Sequence, residues 1–308
     1  MGVVTAQRPP WTGAFANPGL LAAGAAGCAA AVLTLWALRG LPLGTAFFWL
    51  AALPIFATGL AFGPAFAVVA GLLGTLLVAL SAGGLGALVF LALFAVPAPL
   101  LVAAALRGGQ ITLSLPLALL GIWPVVVLLL AAAFLADDGG LEAKMRDAVQ
   151  IALLQLGLPA SDAMVTALVR VKAGAIGFWA DLALLANARG AMTWLAKRRL
   201  LAAPLPDWSA VRLPGWYPVL PALALGLFFA APEDGDAVPL SALVLLLVPL
   251  FLQGLAGVHA RLRGRKGRQP ILAAFYLLLV LFLQVMGPGL VGLGLYDQFQ
   301  RRAAPRQS

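Results

Sequence analysis

Apolar runs of about 20 residues, the length a helix needs to cross a hydrocarbon core, recur along the whole chain with short breaks between them. They predict spans at 20–38, 43–62, 65–81, 85–106, 115–136, 165–188, 217–231, 240–258 and 271–286. The breaks carry Gly40-Leu41-Pro42, Gly63-Pro64, Gly83-Gly84, Gly108-Gly109 and Pro232, residue types that turn a chain. Backbone groups in hydrocarbon have no water to bond, so runs of this length without strand alternation predict helices and not an outer-membrane barrel. The expected fold class is all-α: a polytopic transmembrane helical bundle of eight or nine spans.

One segment has a different period. Leu141, Met145, Val149, Ala152 and Leu156 recur at three and four, while Glu142, Lys144, Arg146, Asp147 and Gln150 lie on other faces. This predicts an amphipathic helix, either lying at the membrane interface or packed over the bundle as a connector. The chain then divides into a lead (1–19, with Trp11 and Phe15 near the interface), N-terminal spans (20–136) and an extracytoplasmic loop bearing that helix (137–162). C-terminal spans with basic loops (163–299) and a basic tail (300–308) follow. Gly287, Pro288 and Gly289 predict a helix break inside the last span. It makes that span either kinked or a hairpin that returns the tail to its starting side.

Composition agrees with the pattern: 63% of residues are hydrophobic and 10% charged, with a mean hydropathy of +1.02. The few charges are sorted. Basic residues gather at Lys197-Arg198-Arg199 and between Arg261 and Arg268, acidic ones between Asp137 and Asp147 and at Glu233-Asp234-Gly235-Asp236. Basic loops stay on the cytoplasmic side, which predicts a bacterial cytoplasmic (inner) membrane protein with its N-terminus inside. Arg39 falls on the outer side in that threading. The net charge of +9 then serves anionic lipid headgroups at the basic loops and not nucleic acid. The lone Cys28, in an Ala/Gly-rich run, reads as a packing residue.

Familiar catalytic sets are missing. His259 is the single histidine, so paired-His metal motifs are excluded, and Ser241 lies about 27 Å from it along the same predicted helix. No serine has an elbow context and no phosphate-binding loop occurs. No catalytic residue, metal or cofactor is expected, and the chain is not read as an enzyme. The polar anomaly is Asp181, deep in a predicted span, where an ionisable group marks a functional site by default. Gly177 precedes it by one turn, and Gln253 and Gln284 on later spans are its candidate hydrogen-bonding partners. The carboxylate is then either a substrate-binding site formed with Gln253 and Gln284 or an Asp–Gln lock between helices.

Gly59-Leu-Ala-Phe-Gly63-Pro64, with Gly71 and Gly74 downstream, resembles the glycine-proline turn of the substrate-binding (S) components of energy-coupling-factor transporters. Pro249 to His259, Tyr276 and Gly294-Leu-Tyr-Asp297-Gln298 resemble the bacterial YybS-like family (domain of unknown function 2232), which is grouped with those components. The resemblance implies an S-component-like core. It also implies a first helix whose small residues four apart, Ala22, Ala26 and Ala30, pack on a coupling protein. Two functions follow as expectations: a substrate-binding or transport-related bundle with a midplane polar site, or a non-catalytic scaffold organising cell-envelope partners. Extra spans and the amphipathic insert depart from a simple vitamin-uptake component.

Overall fold

The computed structural model describes residues 17–159, 161–201, 203–232 and 235–300. The lead with Trp11 and Phe15, the acidic pair Glu233-Asp234 and the tail from Arg301 lie outside the described residues. Those described are mostly helical and form two compact units: 17–111 with 183–205, and 112–182 with 206–300. Five segments are long and apolar enough to cross a membrane: Pro18–Leu38, Gly44–Phe62, Pro64–Ala105, Ser114–Phe134 and Ala237–Arg261.

In the first unit, α1 (Pro18–Leu38) starts where Asn17 caps it; the side chain accepts from the Gly19 N–H at 2.9 Å, and Pro18 fills the first helical position. The next segment is broken into α2 (Gly44–Trp49) and α3 (Ala52–Phe62). Pro54 supplies the cause, since it offers no N–H to the Leu50 carbonyl one turn back. Gly63, at φ 109°, turns the chain into α4 (Pro64–Phe90), and a π-helical turn at Leu91–Ala95 leads into α5 (Pro97–Ala105).

The stretch from Pro64 to Ala105 covers 42 residues, about 60 Å if straight, twice a hydrocarbon core. It is not straight. Gly83 is non-helical (φ 77°, ψ −178°), and residues on either side of it meet. A methyl group at Gly71 would lie 2.8 Å from the Ala95 carbonyl oxygen, and one at Gly74 2.8 Å from the Phe90 ring. The segment is therefore a hairpin of two antiparallel limbs. Only glycine adopts the Gly83 conformation without strain, so Gly83→Ala is expected to cost about 1–3 kcal/mol, read as a lowered melting temperature in detergent. Gly84→Ala, which meets nothing within 4 Å and has no positive φ, is the control.

Glycine also sets the distance between α1 and α4, where an added Cβ at Gly27 would lie 2.7 Å from the Ala70 carbonyl oxygen. Gly59 similarly seats α3 against Ala67 and Val102. Ala26 and Ala30 of α1 are buried within the unit. Those two are spent on internal packing, whereas Ala22 is half-buried. After α5, Gly108 and Gly109, both at positive φ, close a two-residue hairpin between β1 (Leu106–Arg107) and β2 (Gln110–Ile111).

The second unit holds α6 (Ser114–Phe134), α7 (Gly140–Gln155), the part of α8 (Asp162–Lys197) up to Leu182, α9 (Val219–Ala230), α10 (Ala237–Arg261), α11 (Arg268–Leu281) and α12 (Leu283–Gln300). Three expected spans are redrawn. The 165–188 run lies within the 36-residue α8, which carries Arg170, Lys172, Asp181 and Arg189 and is absent from the five apolar segments. The 217–231 run yields a helix of 12 residues, about 18 Å and too short to cross alone. The last run becomes α11 and α12, bent by 118°.

The bend also corrects the expected break. Gly287, Pro288 and Gly289 lie inside α12, and the turn falls at Phe282. Proline obstructs the carbonyl four residues upstream; for Pro288 that is Gln284, in the first turn of α12, so the distortion is displaced toward the helix start. Contacts of Gly254 with Leu290 and of Gly257 with Asp297 show α12 running parallel to α10. Its C-terminal end therefore returns beside Arg261, where the basic loop begins.

α7 is amphipathic, but its buried face is Val149 and Leu153, packed with Met145 on Val165 and Val169 of α8. Leu156, expected on that face, is exposed. The helix is thus packed as a connector over α8, with Ile151 and Leu154 left on its exposed surface.

Charge sorting has a physical counterpart within this unit. At one end Glu142 of α7 accepts from the Ala237 N–H at the start of α10 (3.3 Å), and Arg170 pairs with Asp236. At the other, Arg263 forks onto Asp207 at 2.7 Å to both oxygens, tying the loop after α8 to the end of α10. Arg263 holds the exposed Asp207 carboxyl down at about 2, with Ser209 adding two further hydrogen bonds. A folded value below the unfolded one of about 3.9 means this staple contributes above pH 4 and is lost as pH falls toward 2. Intrinsic-rate-corrected hydrogen exchange at the Ser209 amide should rise through that window, and Asp207→Asn should remove the dependence.

Candidate functional site

Asp181 lies almost midway along α8 and is 1% exposed. Neither carboxylate oxygen has a hydrogen-bond partner. Its surroundings follow from how α8 meets α10. The Gly174 N–H donates to Ser241 Oγ at 3.1 Å, and one turn on, a methyl group at Gly177 would lie 2.6 Å from Leu245 Cδ2. The glycines let the two helices run side by side, in parallel. Extending that register brings Asp181 level with Pro249.

Pro249 sits inside α10. It has no N–H, so the Leu245 carbonyl loses its ordinary helical donor. The Tyr217 hydroxyl donates to the neighbouring Leu246 carbonyl at 2.9 Å, and Tyr217 is fully buried. A methyl group at Gly121 of α6 would lie 2.6 Å from that hydroxyl oxygen and 2.7 Å from Pro249 Cγ. The register thus sets the carboxylate at the level where α10 carries Pro249 and receives the Tyr217 phenol, in the interior of the second unit. An ionised carboxylate that gives up water without gaining donors costs several kcal/mol. The position therefore calls for a positive charge or a proton from outside the fold.

The glutamines go elsewhere. Gln253 Oε1 accepts from the Leu213 N–H at 2.7 Å, and its Nε2 donates to the Gly294 carbonyl at 2.7 Å and to Gln298 Oε1 at 3.1 Å. Gln298 Nε2 donates in turn to the Leu213 carbonyl at 3.0 Å. Gln253 and Gln298 therefore form a buried clamp holding α12 and the 211–214 loop on α10. Gln284 is exposed at the start of α12. The structure does not join either glutamine to Asp181, and the expected Asp–Gln lock is not formed.

Other residues of the C-terminal motif extend the clamp. Arg261 forks onto Asp297 at 2.9 and 2.6 Å, and His259 Nε2 lies 2.8 Å from the Tyr276 hydroxyl. Of the remaining singled-out residues, Gly59, Gly63, Pro64, Gly71 and Gly74 belong to the first unit, where they turn and pack α3, α4 and α5. Sequence reasoning missed Tyr217, Gly121 and Pro249 as neighbours of the site. Pro249 inside a long apolar run was the one local signal, since a proline there frees a carbonyl; nothing local marks which tyrosine reaches it. No protein-family model, no curated protein and no solved structure matches the chain.

Proposed function

We propose that this chain is a multi-pass protein of the bacterial cytoplasmic membrane that binds or moves a small molecule or ion at Asp181. The reading rests on one observation: a mid-helix carboxylate, fully buried, with both oxygens unpartnered. A chain selected for stability alone would replace such a group with an apolar one. The Leu245 carbonyl that Pro249 leaves without its helical donor and the Tyr217 phenol supply polar surroundings of the kind carriers build at helix interruptions. The N-terminus is assigned to the cytoplasm, because the two basic loops meet at one end of the second unit through Asp207 and Arg263. The YybS-like and S-component resemblance supports a transport-related role, with an ATP-hydrolysing coupling protein as the partner.

The second reading is a non-catalytic scaffold for cell-envelope partners. Its support is the rigidity of the Gln253–Gln298 clamp and of the glycine contacts between α10 and α12. Purification in mild detergent followed by mass spectrometry of bound small molecules and co-purifying proteins separates the two. A bound small molecule lost in Asp181→Asn, or a coupling ATPase, is the expected result. Cell-envelope proteins alone, unchanged by Asp181→Asn, would overturn the transport reading in favour of the scaffold.

A further inference from the structure

All 11 carboxylate side chains of the chain fall in the second unit. The described part of the first unit contains no Asp or Glu, yet it carries Arg39 and Arg107. Neither has a carboxylate within its own unit to pair with. Arg39 is the isolated one. It lies at the C-terminal end of α1, beside the Gly83 turn, whereas Arg107 follows α5 near the Gly63 turn at the opposite end.

A groove of about 480 Å3 opens beside Arg39. Arg39 and Ser81 are its polar lining, and Leu35, Leu38, Leu85 and Val89 supply an apolar wall. Leu80, Leu85 and Leu88 continue that apolar surface outward and are strongly exposed. The Trp36 indole N–H donates to the Pro42 carbonyl at 2.9 Å one turn before the loop, the position tryptophan takes at a membrane–water boundary. A charge fork with an adjacent hydroxyl suits phosphate, and an apolar wall running away from it suits an acyl chain. A soluble anion would use the first and leave the second bare.

We propose that this groove is a binding site for an anionic phospholipid, its phosphate held by Arg39 and Ser81 and one chain lying along Leu38, Leu85 and Val89. The test is native mass spectrometry of the full chain in mild detergent, titrated with a phosphatidylglycerol or a phosphatidylcholine of the same chains. Phosphatidylglycerol should be retained in preference. Arg39→Gln should retain it about fivefold less, the effect of one basic residue at an anionic lipid surface, while Arg107→Gln keeps the Arg39-dependent adduct. Val89→Trp, which fills the groove and leaves the charge in place, should also lose that adduct. Equal retention of the two lipids, or retention unchanged in both Arg39→Gln and Val89→Trp, would overturn the proposal. Unchanged melting temperatures in the variants establish that the adduct, and not the fold, has been lost.

Discussion

Gly254→Ala is expected to abolish the docking of α12 on α10 and to cost about 3–5 kcal/mol, at the upper end for a single substitution. The added Cβ would lie 1.9 Å from the Leu290 carbonyl oxygen and 2.8 Å from its carbon. Both are backbone atoms, so no rotamer change relieves the clash. Gly294 is the reciprocal case, its added Cβ 2.2 Å from the Leu250 carbonyl oxygen. Separating the helices also opens the Gln253–Gln298 clamp and strands buried amide groups. Gly292→Ala is the control on the same helix: an added Cβ there meets nothing, and alanine favours the helix by about 0.8–1 kcal/mol. Thermal unfolding in detergent should put Gly254→Ala and Gly294→Ala far below wild type and Gly292→Ala at or above it.

Asp181→Leu is expected to abolish function while leaving the protein folded and at least as stable. The carboxylate makes no hydrogen bond that the substitution would break. Replacing a buried charged group with an apolar one of similar size is often neutral or stabilising by about 1–4 kcal/mol. In the second unit this corresponds to a rise of roughly 2–4 °C in melting temperature per kcal/mol. Asp181→Glu should keep the charge but push the longer side chain toward Tyr217 and Pro249, so function should fall without a large change in charge-dependent binding. Stability held or gained alongside lost function separates a working group from a structural one.

Much of the architecture was legible because it follows from one-dimensional rules. Charge sorting alone separated loops by end, and the structure ties Glu142 to the start of α10 and Arg263 to Asp207 at the respective ends. Gly63-Pro64, Gly83 and Gly108-Gly109 turn the chain because their dihedrals or missing donors leave little alternative. Where two causes compete, a sequence shows the breaker but not the site of the break. Pro288 sits inside α12 and the chain bends at Phe282 instead. α8 defeats a simple hydropathy reading because its charges find uses in the fold: Arg170 pairs with Asp236, and Asp181 faces the interior. Asp181 itself was visible as an ionisable residue in an apolar run. Its surroundings were not, since Tyr217 and Gly121 come to α10 at Leu246 and Pro249 through tertiary packing from distant points in the chain. Gln253 was singled out as a partner of Asp181, but its partners are Leu213 and Gln298, about 40 residues away on either side, and the sequence offered Asp181 as the more conspicuous polar residue.

The most direct test sets the melting temperature of Asp181→Leu beside that of Gln253→Leu in one detergent. Gln253→Leu removes a partner from the clamp and should melt well below wild type, by about 2–4 kcal/mol of lost hydrogen bonding. A functional Asp181 predicts that Asp181→Leu melts at or above wild type. Asp181→Leu falling as far as Gln253→Leu would make the carboxylate a structural tie and contradict the site.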